Sequence, residues 1–149
     1  MRLPALASCV ITAILTASLG GCEQGTTPDV DTREATFEAV LEIFDQSGCA
    51  TAGCHGGATL GAELDLDGLD VAHAQLVDVE CANAEADSAG LLRVSSGDAD
   101  ESFLMTKLSM TSIDPTLGLP MPPTGDPLSA RDLNLVRRWI DAGAPAADD

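Results

Sequence analysis

Three side chains in one short stretch carry the chemistry of this chain. Cys49 and Cys54 are separated by four residues, and His55 follows the second thiol directly. Two thiols and an adjacent imidazole in that order suit covalent haem attachment, in which the cysteines add to the porphyrin vinyl groups and the histidine reaches the iron from one face. The common form has two intervening residues rather than four, so the residues alone leave other readings open. Cys49, Cys54, His55 and Cys81 have the composition of a three-cysteine, one-histidine zinc site, although neighbours such as Cys54 and His55 rarely reach one tetrahedral ion together. A disulfide-stapled module, with Cys49 joined to Cys54 or Cys81, is the third reading.

A helix should deliver the chain into this stretch. From Thr32 to Gln46, Phe37, Val40, Leu41 and Phe44 fall at i, i+3, i+4 and i+7, a single apolar face. Asp31 is expected to cap it with Glu34 as capping-box partner, and Ser47-Gly48 to stop it just before Cys49. Beyond His55, Gly56-Gly57 lets the backbone turn around a bulky group. Ala62 to Gly68 alternates acidic and leucine positions and reads as a short extended segment. Within it, Asp65-Leu66-Asp67-Gly68 lacks the ligand spacing and closing Glu of a calcium loop. A short helix over Asp70–Val77, with Val71, Ala74 and Leu76-Val77 inward, carries His73. That histidine reads as a surface or capping residue, and a second haem ligand is the alternative.

Cys81 to Gly90 reads as a loop and Leu91–Val94 as a brief extended run. A helix over Ala99–Ser109 follows, with Phe103, Leu104 and Leu108 as its stripe. Arg93 is expected in a surface ion pair, a haem propionate being the alternative. Met110 to Leu128 is a long loop holding five of the chain's eight prolines. Pro120 and Pro122 flank Met121, and prolines on both sides enforce a stiff, extended backbone that presents a thioether rather than burying it. A long loop of this kind in a small domain is functional or disordered, and its rigidity favours function. Met105 reads as core filler, with Met110 intermediate. The closing helix, Arg131–Ala142, is capped by Ser129 with Asp132 as box partner. Leu133, Val136 and Ile140 form its stripe, Leu135 and Trp139 widen it, and Gly143 and Pro145 end it.

The remaining composition sets the context. Met1 to Gly21 has a basic start and an apolar run too short to span a bilayer comfortably. Leu19-Gly20-Gly21-Cys22 resembles a lipobox, so residues 1–21 are expected to be a lipoprotein signal peptide, Cys22 the lipidated residue and residues 22–31 a tether. Removing that signal also removes Arg2 and leaves 24 acidic against 6 basic groups, a formal net charge of −18. Such a surface argues against nucleic acid or an anionic membrane surface as partner. It suits solubility, or a partner with a basic docking face. The only large aromatic side chains are Phe37, Phe44, Phe103 and Trp139, few for a domain this small to close a core.

The order of helix, Cys49-x4-Cys54-His55, Leu119-Pro120-Met121-Pro122-Pro123 and a closing helix with Arg138-Trp139-Ile140-Asp141-Ala142-Gly143 resembles the cytochrome c-like domains of bacterial envelope lipoproteins. The resemblance covers most of Thr32 to Ala142. It implies an all-α fold over residues 32–149, thioether bonds at Cys49 and Cys54, His55 as proximal ligand and Met121 as distal ligand of a haem c iron. It also implies an electron carrier held at the cell envelope, facing the periplasm or exterior, and serving a redox partner protein. No acid–base pair or activated nucleophile is evident elsewhere in the sequence, so a carrier rather than an enzyme is expected.

Overall fold

A computed structural model describes residues 31–57 and 61–147. The expected signal peptide, the lipidation residue Cys22 and the tether up to Val30 lie outside these residues. Among the described residues there are five α-helices: α1 (Phe37–Gln46), α2 (Leu69–Leu76), α3 (Ala84–Ser88), α4 (Phe103–Ser109) and α5 (Ala130–Asp141), with a single 3-10 turn over Gly61–Glu63.

The all-α expectation is not met. Helices account for 39% of the described residues and isolated β-bridges for a further 10%. The bridges Val77↔Val94, Glu80↔Leu92 and Leu92↔Ser102 tie three extended segments between α2 and α4. Leu91–Val94 is too short and too closely bounded by turns to form a helix, and buried backbone groups must find partners somewhere. They find them across segments: Arg93 N–H donates to the Val79 carbonyl at 2.8 Å, Val94 N–H to Leu76 at 3.1 Å and Phe103 N–H to Leu92 at 2.9 Å.

The core is built where the hydrophobic periodicity is strongest. Phe37, Val40, Ile43 and Phe44 of α1 are buried against Leu135, Val136, Trp139 and Ile140 of α5. Phe37 stacks on Trp139 with ring centroids 5.1 Å apart. The α2 residues that turn inward are Ala72 and Leu76, whereas Val71 is 43% exposed. Helix α4 contributes Met105 and Leu108.

Several boundaries differ from expectation. Thr36, not Asp31, caps α1, accepting the Ala39 amide at 3.3 Å. Helix α3 lies in what reads as a loop, because Asn83 accepts the Ala86 amide at 3.0 Å and starts a turn of helix-forming residues. Helix α4 starts later than Ala99, since Asp98 Oδ1 captures the amides of Asp100 and Glu101 and the Asp98 carbonyl takes the Ser102 hydroxyl. These bonds favour a turn over a helical start. The cap of α5 matches expectation, with Ser129 Oγ accepting the Asp132 amide at 3.1 Å.

Asp31 instead seats the start of the domain on α5. Its carboxylate, fully enclosed, receives Arg33 at 2.6 Å and Arg131 at 3.3 Å. Arg138 donates to the backbone carbonyls of Asp31 and Arg33. The Arg33 guanidinium holds the Asp31 carboxyl well below its ordinary value of 3.8. A carboxylate depressed in the folded state contributes stability that is full above its unfolded value and is lost as pH falls through the folded one. Asp31→Asn is therefore expected to lower the melting midpoint at pH 7 by roughly 10 °C. Below about pH 4 the gap between parent and variant should narrow, which melts recorded across acidic pH would check.

Candidate functional site

Helix α1 hands the chain directly to the two-cysteine loop. Its C-terminus closes with a paired capping motif: Gly48 N–H donates to Asp45 at 2.9 Å and Cys49 N–H to Phe44 at 2.8 Å. Gly48 has a φ of +72°, a conformation that a side chain resists. The first thiol-bearing residue thus completes the helix cap, and its position follows from where α1 ends.

The four-residue spacer is accommodated by a turn. Cys54 N–H donates to the Thr51 carbonyl and His55 N–H to the Cys49 carbonyl, both at 3.0 Å. Thr51, Ala52 and Gly53 are exposed, while Cys49, Cys54 and His55 are half-buried. The extra residues therefore bulge outward, and the ends of the motif remain hydrogen-bonded to each other. Gly56 seals the loop at close range, since a Cβ there would lie 2.0 Å from the Ala50 carbonyl oxygen.

His55 is held by its neighbours on both sides. Its carbonyl accepts Leu66 N–H at 2.7 Å, and its ring packs on Gly61, where a Cβ would stand 3.2 Å from Cε1. Ring Nδ1 is buried with no hydrogen-bond partner among the described residues. A buried polar atom left so costs about 1–3 kcal/mol, and such an atom calls for an explanation.

These residues line a cavity of about 760 Å³, within the range of pockets that enclose small-molecule cofactors. Its wall is mostly apolar, including Phe44, Leu66, Leu76 and Phe103, and it also carries Cys49, Cys54, His55 and Met121. Met121 is fixed through its amide, which donates to the Lys107 carbonyl at 2.8 Å. Among the described methionines it alone lines this cavity. Met105 is buried in the core, and Met110 is half-buried at the end of α4.

Two basic side chains, Arg93 and Lys107, complete the lining. Arg93 is not in the expected surface ion pair. It donates to the carbonyls of Gln75 at 2.9 Å and Ala62 at 3.1 Å, and no carboxylate pairs with it among the described residues. In a chain this acidic, a guanidinium with no carboxylate partner among the described residues on an apolar wall suits a group with an apolar body and an anionic substituent. His73 lies elsewhere, with Nε2 2.8 Å from the Ala144 carbonyl and its ring edge-on to Phe37. It is a half-buried packing residue with no place on the cavity wall.

Cys49, Cys54 and Cys81 carry no disulfide. Burial, reinforced by the neighbouring Cys54, pushes the Cys49 thiol up to about 11, so it is protonated at neutral pH. Burial likewise raises Cys81, which packs with Ala86 and Phe103. Among the described residues no three His, Cys, Asp or Glu side chains gather in a metal-holding group. Nor is any helix among them long and apolar enough to cross a membrane.

No protein-family model, curated protein or solved structure matches this chain. The functional reading therefore rests on the residues themselves.

Lys107 is the site residue that periodicity and motif reading pass over. Its one sequence signal is that it is the only lysine in the chain.

Proposed function

We propose that residues 32–149 form a covalent haem c-binding electron carrier, tethered through Cys22 to the cell envelope and serving a redox partner protein. The observation that carries this reading is the convergence of Cys49, Cys54, His55 and Met121 on one apolar cavity of about 760 Å³. The residues present fit the group. Two thiols in one loop can form the thioether bonds, and His55 Nδ1 is buried with no partner among the described residues. Arg93 has spare N–H donors for an acidic substituent.

When bound, haem iron would supply one-electron chemistry, at a potential that a thioether ligand raises relative to a second nitrogen ligand. The chain's own contribution is retention, orientation and exclusion of water. Thioether bonds at Cys49 and Cys54 keep the group from escaping in an open compartment. His55 and Met121 would hold the iron through nitrogen and sulfur, and Phe44, Leu66, Leu76 and Phe103 would give it apolar surroundings. The zinc reading is disfavoured because, although Cys81 also lines this cavity, no three His, Cys, Asp or Glu side chains gather in a metal-holding group among the described residues.

Met121→Ala tests the distal ligand. The variant is expected to retain covalent haem but to lose the sulfur-to-iron charge-transfer band, with a lowered reduction potential. A band that survives the substitution would reassign the ligand to another methionine.

A further inference from the structure

Lys107 fastens the loop that carries Met121. Its Nζ donates to the carbonyl of Leu117 at 2.8 Å and to that of Leu119. Its own carbonyl accepts the Met121 amide at 2.8 Å. Between the two accepting carbonyls, Gly118 has a φ of +85°, and a Cβ there would stand 3.7 Å from Nζ. The amine also sits 5.7 Å from the centre of the Phe103 ring. No carboxylate forms an ion pair with it among the described residues, even though the chain has 24 acidic residues. Beyond this point Asp114 Oδ1 closes the preceding turn by accepting the amides of Thr116 and Leu117.

Within residues 117–121 Gly118 pairs with Asp114 through two backbone bonds, and the placement of the residues after it depends on individual bonds such as these. Ordering a lysine side chain costs rotamer freedom, and charge-assisted bonds to two carbonyls are strong enough to offset it. Building on the haem reading above, we propose that Lys107 is the positioning residue for Met121. It clamps residues 117–121 to α4 at three points, so that the thioether stays on the cavity wall and withstands competition from other iron ligands. It acts through the backbone of the loop, not on the reacting atoms.

The test is Lys107→Met in the full chain, exported and matured with haem. Methionine keeps much of the side-chain length and the packing but has no N–H to donate. Covalent haem and far-ultraviolet circular dichroism should match the parent. The sulfur-to-iron charge-transfer band should weaken sharply, and the affinity for added imidazole should rise roughly tenfold or more, because the competitor no longer displaces a held ligand. Lys107→Arg, whose donors can reach the same carbonyls, should recover much of the band. If Lys107→Met does not fold, Lys107→Leu, which likewise has no N–H to donate, is read in the same way. A variant with unchanged band and unchanged imidazole affinity would overturn the clamp and leave the haem reading intact. A parent chain with no thioether-bound haem would instead sink both.

Discussion

Trp139→Ala is expected to unfold the domain, or to leave it folded only under strongly stabilising conditions. The indole is fully enclosed, stacks on Phe37 and donates from Nε1 to the Pro145 carbonyl at 2.9 Å. Truncating a buried tryptophan to alanine costs about 3–5 kcal/mol, against a typical total of about 5–15 kcal/mol for a domain. The substitution also strips a partner from a carbonyl beside the α5 cap, where Ala144 N–H bonds to Trp139 at 3.0 Å and His73 reaches the Ala144 carbonyl. Because Trp139 is the only tryptophan, the loss should be followed by circular dichroism under urea. Trp139→Phe, which keeps a stacking ring but not the N–H, should fall between parent and alanine variant. A shift under about 1 kcal/mol for alanine would mean that the α1–α5 interface does not organise the core.

His55→Ala has its largest effect on the haem-loaded protein and almost none on the haem-free chain. On the proposed haem reading it would remove the nitrogen ligand of the iron, so the six-coordinate, low-spin spectrum should be lost altogether. In the haem-free chain two small terms oppose each other. Removing an unpartnered buried Nδ1 relieves about 1–3 kcal/mol, while the space left beside Gly61 costs an amount of similar size. The expected change in the haem-free urea midpoint corresponds to less than about 1 kcal/mol. A large destabilisation of the haem-free chain would mark His55 as a packing residue, like His73.

How much of this was legible in the sequence depended on the kind of signal. Helices α1 and α5 could be read because Phe37, Val40 and Phe44, and Leu133, Val136 and Ile140, follow the helical period strongly. The two-cysteine loop and Met121 were legible as motifs that the resemblance links through one iron, and in the structure both line one cavity. Helix α3 was not legible, since Ala86 is its only buried residue and so short a turn has no period. The all-α expectation failed because the bridges among Val77–Glu80, Leu91–Val94 and Ser102 are long-range pairings, set by which backbone groups become buried. Arg93 and Lys107 were misjudged or missed for a related reason. Their partners are backbone carbonyls of Gln75, Ala62, Leu117 and Leu119, and a backbone acceptor leaves no mark on residue type. Asp31 looked like a cap because it precedes a helix, but the nearby Arg33 and the distant Arg131 and Arg138 claim it and its carbonyl.

The central claim is that Cys49 and Cys54 hold haem covalently despite the four residues between them. The most direct measurement is the mass and reduced visible spectrum of the chain after export with a haem-maturation system and denaturing electrophoresis. The account predicts one haem per chain that survives denaturation and disappears when Cys49 and Cys54 are both replaced by alanine. A denatured parent band with no haem colour and the mass of the polypeptide without haem would contradict it.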